Sequence, residues 1–412
     1  MHQVIETTVY GRRRKLLVRD DMPLFYPNLW ITYYYPKNSV GTQKLYLGHL
    51  AMFEGFLEYA KIDLTARLNA RPESSYLGDG ELSEFVNQAG MASSTRRYMY
   101  AGSKLFPTAY QKIGADSFQQ RIEVVRDYLK FLYDELGDSN SKREAIANVE
   151  SRLNQKIKAS RPSYKRRKIK DTRGLTDAQR KRIREVMHPD SLENPFSSEA
   201  TKHRNYIILE LGLQLGLRRS EMLLIKLSDI VPKEDDPSTF LLKLVALEDE
   251  SIDPRKEAPQ FKTHERMIQL SDRLVRDIHT YTVKYRKCSS KNPFLLVSHG
   301  RGAGSPLAIS GIDNILPKVI EVAPELAGIS PHTLRHDCVY TLLASMQEDL
   351  KALTPEDRAT QVQKVLTWMF GWSPESNMPE LYGAKFWHEA ANEAVRKRAE
   401  RFSISTDDGG DL

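Results

Sequence analysis

A strongly basic segment between residues 156 and 184 constrains the fold of this chain most, because it separates two regions of regular apolar spacing. Its middle, RPSYKRRKIK, contains Pro162 and has no apolar period, which is typical of a linker. A chain of 412 residues is also long for one core and suits two or three domains. We therefore predict two main domains, joined by a basic interdomain linker over 151–174.

The region before the linker predicts a helical core domain over 36–150. A first apolar stripe at helical spacing comprises Tyr46, Leu50, Phe53 and Leu57, and a second comprises Ile122, Val125, Leu129, Leu132 and Leu136. Ser39 precedes the first stripe as a candidate N-cap, and Gly137 follows the second as a candidate C-terminal cap residue. Residues 1–35 contain the β-type runs VIETTVY and LWITYYY, so we predict a β-rich extension or arm there.

The region after the linker, 175–402, predicts a second domain that is mainly helical with a small sheet. Thr176 and Gln179 have the spacing of a capping box that opens a helix. Strands are predicted over 240–246 and 266–270, and later helices over 310–322, 331–347, 360–370 and 387–401. The predicted fold class is therefore mainly α with a small β-sheet (α+β). We expect the last residues, 403–412, to be disordered.

Composition limits the functional classes that the chain can belong to. A net charge of +7 and a pI of about 9.1 suit a polyanionic partner without proving one. Cys288 and Cys338 are the only cysteines, so neither a disulfide framework nor a CxxC zinc site is expected. The sequence has no signal-peptide pattern and no apolar run near the roughly 18–20 residues that span a bilayer. We expect a cytoplasmic protein without membrane contact.

Two segments of the second domain place cations where they could meet a phosphate. In LGLRRSEMLLI, Arg218 lies at a helix junction beside Gly216, and Glu221 follows in the next helix. A guanidinium fixed in this way can bind a phosphate oxygen, although a surface arginine is the simpler alternative. In FKTHERMIQL, Lys262 is predicted on a β-turn. Its amine could protonate a leaving oxygen, although an exposed turn lysine is again the simpler alternative.

A third segment, SPHTLRHDCVY, predicts an anion site at the start of a helix. Ser330 is a good N-cap and Pro331 a good first helical residue. His332, Arg335 and His336 then share one face of the first turns. Two imidazoles and a guanidinium beside the free N–H groups of a helix N-terminus favour binding of an oxyanion.

A fourth segment, VLTWMFGWSPESNMPELY, contains a candidate nucleophile. An apolar helix is predicted to stop at Gly371, with Trp372 in the loop that follows and Tyr382 after that loop. A phenol has a pKa of about 10 and needs neighbouring cations or a base to become a nucleophile. The alternative is that Tyr382 packs on the surface.

Taken together and in this order, the four segments resemble the catalytic domain of tyrosine recombinases, the phage integrase family. GLRRSE resembles the first arginine box of the family, FKTHERMIQL its lysine hairpin, HTLRH its His-x-x-Arg box, and FGWSPE with the later tyrosine its final box. The resemblance covers roughly 175–400, and the helical region over 40–140 is more loosely similar to the core-binding domain. It implies two domains that form a C-shaped clamp on DNA.

The resemblance also implies a role for each matching residue. Arg218 and Arg335 would bind the scissile phosphate, and Lys262 would protonate the leaving 5′-oxygen. His332 would assist proton transfer at the hydroxyl of Tyr382, the nucleophile. The further residues that the resemblance brings to the site are Trp372, which would bind or pack against the phosphate site, and the supporting residues Glu221 and His336.

Three features depart from the family pattern. The separation of Arg335 from Tyr382 is longer than usual, and the surplus over 347–363 is predicted to be an insertion. Trp372 replaces the commoner histidine, and Arg219 replaces a usual apolar residue. Tyr340 is the only rival nucleophile in the C-terminal boxes, but it lies in an apolar helical run.

The predicted function is site-specific DNA recombination through a 3′-phosphotyrosyl intermediate, without metal, cofactor or ATP, for the integration of a mobile element. The predicted partners are double-stranded DNA with recombination sites, three further copies of the chain in a tetramer on DNA, and accessory DNA-bending or directionality proteins. The free protein is expected to be a monomer or weak dimer. Predicted DNA contacts are Lys165, Arg166, Arg167 and Lys168 in the linker, and Arg96 and Arg97 in the helical domain.

Some alternative functions would use the residues of the four segments, and others would not. A type IB topoisomerase would use nearly the same pocket to relax DNA, and a telomere-resolving enzyme would use the same nucleophile. A noncatalytic DNA-binding regulator is the alternative from a different class. A metal-dependent nuclease fits poorly, because no acidic cluster is visible in the sequence.

Overall fold

The computed structural model divides the chain into two compact units, residues 1–168 with 249–251 and residues 169–248 with 252–412. The structure describes residues 2–35, 39–70, 76–100, 112–137, 142–160, 174–256, 258–287, 292–300, 302–351, 353–373 and scattered positions up to 400. Helices dominate both units, and each unit has one three-stranded antiparallel sheet within these residues. The predicted fold class is confirmed.

The first unit consists of a hairpin sheet followed by seven helices within the described residues. Its strands are β1 (His2–Val9), β2 (Arg12–Arg19) and β3 (Met22–Pro23). Its helices are α1 (Phe25–Tyr34), α2 (Val40–Tyr59), α3 (Leu64–Asn69), α4 (Asp79–Ala89), α5 (Ser93–Tyr100), α6 (Ala115–Leu136) and α7 (Lys142–Ser160). Both predicted apolar stripes lie on helices, α2 and α6, and Ser39 caps α2 by accepting a hydrogen bond from the Thr42 amide.

The predicted β-rich extension over 1–35 needs two corrections. The run LWITYYY lies in helix α1, since packing of Trp30 against Tyr128, with ring centroids 5.8 Å apart, outweighs its β propensity. The segment is also not a separate arm, because Leu17 of β2 and Trp30 belong to the same apolar core as α2 and α6.

The predicted linker over 151–174 begins too early. Helix α7 continues to Ser160, and its Val149, Leu153 and Ile157 are buried in the core of the first unit. The basic middle of the linker lies outside the described residues. Helix α6 does end before Gly137, but that residue is extended, with φ −73°, and does not form a left-handed cap.

Glu54 on α2 gives the first unit a testable pH dependence. Burial raises the pKa of this carboxyl from 4.5 to about 7, against the opposing effects of Arg19 and of a 3.5 Å hydrogen bond from the Tyr128 hydroxyl. A raised pKa means that the folded state binds the proton more tightly. Protonation of Glu54 therefore adds to the free energy of unfolding below the unfolded pKa. This contribution is lost as pH rises through 7.

We expect Glu54→Gln to remove a pH-dependent loss of up to about 3 kcal/mol in the free energy of unfolding between pH 5 and pH 8. Urea denaturation of the full chain at both pH values measures this difference. The exposed Glu144→Gln serves as the matched control and should keep the pH dependence of the wild type. An unchanged pH dependence in Glu54→Gln would show that the carboxyl is charged at both pH values.

The second unit contains a small sheet and many helices. Its strands are β4 (Ile230–Pro232), β5 (Phe240–Leu244) and β6 (Arg266–Gln269), in the order β4-β5-β6. Its helices are α8 (Asp177–Met187), α9 (Glu199–Leu215), α10 (Arg219–Leu224), α11 (Asp272–Thr280), α12 (Ile309–Asp313), α13 (Ile315–Val322), α14 (Pro331–Ser345), α15 (Gln347–Lys351) and α16 (Pro355–Phe370). The described residues of the predicted insertion, 347–351 and 353–363, lie in α15, in the first half of α16 and just before α16.

Helix α14 is fixed at the centre of this unit by buried polar bonds as well as by its apolar face. The carboxylate of Asp337, 1% exposed, accepts hydrogen bonds from the Leu175 amide at 2.7 Å and from Arg180 Nη1 at 2.6 Å. The predicted capping box at Thr176 and Gln179 opens α8 beside these bonds. The start of the second unit and the helix that carries HTLRH are therefore bound together.

Candidate active site

Arg335 is buried and its guanidinium is held by two backbone carbonyls. Ser330 caps α14, so that Arg335 lies in the second turn of the helix, where it is 6% exposed. Its Nη1 donates to the Gly216 carbonyl at 2.6 Å and its Nη2 to the Phe370 carbonyl at 3.0 Å. The rings of Phe370 and Trp372 lie 4.9 Å and 5.6 Å from its Cζ atom. These contacts fix the plane of the guanidinium.

Arg218 reaches one of these two carbonyls from the start of another helix. It precedes α10, and its Nη1 donates to the Phe370 carbonyl at 3.4 Å, the carbonyl that also accepts from Arg335. The left-handed conformation of Gly216, φ +59°, turns the chain between α9 and α10 and so brings Arg218 to this point. Two guanidiniums within reach of one oxygen favour the binding of an anion there. The structure thus brings the two predicted arginines together.

Glu221 contacts both members of the arginine pair, Arg218 and Arg335. It is 1% exposed, and its Oε2 accepts from the Arg218 amide at 2.6 Å and lies 3.8 Å from Arg335 Nη1. Its Oε1 accepts from Arg266 Nη1 at 2.8 Å and from the Thr263 hydroxyl at 2.6 Å. Burial alone would raise the pKa of Glu221, but Arg266 and these hydrogen bonds outweigh it and lower the pKa. The carboxylate therefore stays charged and orients its neighbours.

Arg266 and Thr263 are site residues that were not predicted from the sequence. Arg266 is 7% exposed, and its Nε donates to the Met369 carbonyl at 2.9 Å. One signal was present in the sequence, because Arg266 shares the inward face of β6 with Ile268 and Leu270 at the two-residue spacing of a strand. A charged residue at a core position of a strand needs a buried partner, and here that partner is Glu221.

Lys262 was predicted on a β-turn, but it lies in an irregular part of the chain, next to Thr263, which is hydrogen-bonded to Glu221. The connection between β5 and β6 runs from 245 to 265, and Lys262 is exposed four residues before β6. The His264 amide donates to the Gly371 carbonyl at 3.0 Å, which fixes the neighbouring backbone to the end of α16. The role of the Lys262 amine at a substrate therefore stays a prediction.

The two histidines of HTLRH differ in exposure. His332 is exposed in the first turn of α14, one turn before Arg335, whereas His336 is half-buried. Tyr340, the rival nucleophile, is half-buried further along the same helix. Burial raises the pKa of the Cys338 thiol to about 12, so this residue is not a thiolate nucleophile at neutral pH.

Trp372 packs beside the arginines and is 4% exposed. Gly371 ends α16 in the left-handed conformation, φ +59°, as the sequence predicted, and the indole then stacks on Phe370 with centroids 5.3 Å apart. The indole therefore supports the plane of Arg335. Whether it also contacts a phosphate stays a prediction.

Several predicted site residues cannot be placed on this geometry. Tyr382 lies outside the described residues, as do the linker cations Lys165, Arg166, Arg167 and Lys168. In the first unit, Arg97 is exposed, as a DNA contact requires. Arg96 is 7% exposed and donates to the Met91 carbonyl at 2.5 Å, so the structure gives it a packing role in place of the predicted DNA contact.

Replacement of Gly216 tests how tightly the site is built. A Cβ atom there would lie 2.5 Å from Phe370 Cε1 and 3.1 Å from Cys338 Cβ, on a backbone with positive φ. We expect Gly216→Ala to lower the free energy of unfolding by at least about 2 kcal/mol, measured by urea denaturation. The matched control is Gly300→Ala, where a Cβ meets nothing within 4 Å. Equal stability of the two variants would contradict this packing.

Comparison with known proteins agrees with the geometry. A family model described as "Phage integrase family" matches residues 175–354, which contain Arg218, Lys262, His332 and Arg335. Residues 175–354 of the chain are therefore similar to the phage integrase family. The match bears out the resemblance predicted for the first three segments and is consistent with the predicted enzyme class. No curated protein matches the sequence.

The comparison with solved structures found site-specific recombinases. XerH site-specific recombinase bound to difH substrate, in a pre-cleavage complex, is 15% identical, with a TM-score of 0.51 over 85% of this chain and 79% of that one. A post-cleavage XerH complex with a palindromic difH substrate is 14% identical, with a TM-score of 0.49 over 84% and 76%. At such identity the likeness concerns the fold alone.

Two further features concern the residues that the structure describes. No helix among them is both long and apolar enough to cross a membrane. Nor do they contain a group of three or more His, Cys, Asp or Glu side chains arranged to hold a metal ion.

Proposed function

We propose that this protein is a site-specific DNA recombinase that cuts and rejoins strands through a 3′-phosphotyrosyl link at Tyr382. The observation that carries the proposal is the convergence of Arg218 and Arg335 on the Phe370 carbonyl, with Glu221 orienting both. Two fixed cations suit a phosphodiester, whose transition state gains charge on its nonbridging oxygens. The place of Tyr382 shortly after Trp372 in the sequence supports its role as the nucleophile.

In the proposed reaction, the Tyr382 oxygen attacks the scissile phosphorus and the bond to the 5′-oxygen breaks. His332 assists removal of the phenolic proton, and the Lys262 ammonium gives a proton to the departing oxygen. The new phosphotyrosyl ester conserves the free energy of the broken phosphodiester bond, so ATP is unnecessary. Attack by a 5′-hydroxyl of a second duplex reverses the step and joins DNA strands in a new combination. The proposed reaction steps require no metal ion.

We further propose that the substrate is double-stranded DNA that carries specific sites, and that four copies of the chain assemble on two such sites. The XerH complex, in which a recombinase of similar fold is bound to its difH substrate, supports DNA as the partner. The net charge of +7 is consistent with it. Integration of a mobile element, with accessory DNA-bending proteins, is the natural role that we infer. The cytoplasm is the compartment proposed for it.

A plasmid assay separates this function from its alternatives. A supercoiled plasmid would carry two direct repeats of a duplex that the protein selects from a random library, incubated in EDTA without ATP. We expect two smaller circles from the wild type and none from Tyr382→Phe. Relaxation without recombination would favour a type IB topoisomerase, and an unchanged plasmid would favour a noncatalytic regulator.

A further inference from the structure

We propose that Arg266 is a positioning residue that holds the stretch bearing Lys262 against the arginine pair. The inference rests on the proposed function, in which Lys262 donates a proton to the leaving 5′-oxygen. Arg266 itself touches no substrate in this account. It acts through the backbone and side chains on either side of it.

The stretch just after Lys262 is bonded to both Arg266 and Glu221. Arg266 Nη1 lies 3.2 Å from the Thr263 hydroxyl oxygen and donates to the His264 carbonyl at 3.3 Å. The Thr263 hydroxyl donates in turn to Glu221 at 2.6 Å. The residue next to Lys262 is therefore bonded to the carboxylate that also contacts Arg218 and Arg335.

The Arg266 guanidinium also bonds to helix α10 and to the end of α16. Arg266 Nη1 donates to Glu221 at 2.8 Å and its Nε to the Met369 carbonyl, near the end of α16. The Arg266 side chain is only 2% exposed and the Glu221 side chain is fully buried. One guanidinium thus joins three segments, which are the stretch before β6, helix α10 and the end of α16.

General acid catalysis requires that Lys262 be placed accurately. Its ammonium must come within hydrogen-bond distance of the leaving oxygen as the phosphorus–oxygen bond breaks. The side chain is exposed and flexible, so only its backbone can restrict where the amine reaches. Loss of Arg266 would release the stretch from Glu221 and α16 and misplace the proton donor.

A change of leaving group tests this link directly. When sulfur replaces the scissile 5′-oxygen, the phosphorus–sulfur bond breaks to give a thiolate, which needs no proton because a thiol has a pKa of only about 8.5. A defect in proton donation should therefore disappear with the sulfur substrate, whereas a defect in phosphate binding or folding should remain. The substrate is the selected duplex, nicked near the cleavage position mapped with the unmodified DNA.

We expect Lys262→Ala to cleave the oxygen substrate about 100-fold more slowly than wild type and the sulfur substrate at nearly the wild-type rate. Arg266→Met should lose at least about tenfold with oxygen and recover most of that loss with sulfur. Thr263→Val, which removes the hydroxyl bond without leaving a buried charge unpaired, should show a smaller loss that sulfur also restores. The matched control is Arg204→Met, another buried arginine bonded to a backbone carbonyl, which should keep the wild-type ratio of the two rates.

Each contrary result has its own meaning. Equal slowing of Arg266→Met and Thr263→Val on both substrates, alongside rescue of Lys262→Ala, would overturn the positioning role and leave the proposed function intact. Failure of sulfur to rescue Lys262→Ala would instead remove Lys262 as the proton donor and the inference with it. If Arg266→Met does not fold, the rate ratio of Thr263→Val decides between these outcomes.

Discussion

Arg335→Lys is expected to slow single-turnover DNA cleavage about 100- to 1000-fold while changing DNA affinity little. Lysine keeps the charge but lacks the planar fork that donates to the Gly216 and Phe370 carbonyls. The cation would therefore lose its fixed direction in the transition state. Affinity depends on many phosphate contacts, so one misplaced cation affects it much less.

Cleavage and binding of the selected duplex are measured separately, by adduct formation under single-turnover conditions and by titration. The matched control is Arg273→Lys, an exposed arginine of the same unit that donates to the Tyr206 hydroxyl at 2.8 Å. The control should cleave at the wild-type rate. A cleavage rate for Arg335→Lys within about threefold of wild type would mean that its geometry does not serve the reaction.

Glu221→Ala is expected to lower the free energy of unfolding by about 3–5 kcal/mol. The variant leaves two nearly buried guanidiniums, those of Arg266 and Arg335, without the carboxylate that lies 2.8 Å and 3.8 Å from them. Breaking a buried pair costs more than an exposed pair contributes, since the remaining charge has lost its hydration and its partner.

Urea denaturation of the full chain measures this loss. The matched control is Glu193→Ala, which breaks an exposed ion pair with Arg182 at 2.7 Å and should change the free energy of unfolding far less. Similar costs for the two variants would show that Glu221 is not part of a tightly buried network. Folded Glu221→Ala protein should also cleave DNA slowly, because Arg218 and Arg335 lose their common support.

Local rules of the sequence predicted much of the second unit. Ser330 caps α14, the Thr176 box opens α8 and Gly371 ends α16, because each depends on a few neighbouring residues. The β-type run in α1 misled the prediction, since burial of Trp30 in a distant core decided its structure. Packing against residues far along the chain is not visible in a short window of sequence.

The candidate site likewise contains residues that local sequence predicts and contacts that depend on the fold. Arg218 and Arg335 were predicted from boxes whose spacing is local, and the structure brings them to one carbonyl. The contact between Arg266 and Glu221 spans 45 positions and depends on the pairing of β5 with β6, so it needed the fold. Lys262 was predicted on a β-turn, whereas it lies outside a turn near the end of the β5–β6 connection, whose course the local sequence does not determine.

The most direct test of the account is covalent trapping of DNA. The selected duplex, nicked beside the cleavage position so that religation fails, would be mixed with the wild type, Tyr382→Phe and Tyr340→Phe in EDTA. We expect a denaturant-resistant protein–DNA adduct from the wild type and Tyr340→Phe and none from Tyr382→Phe. An adduct that persists in Tyr382→Phe, or DNA that is bound by the wild type without any adduct, would contradict it.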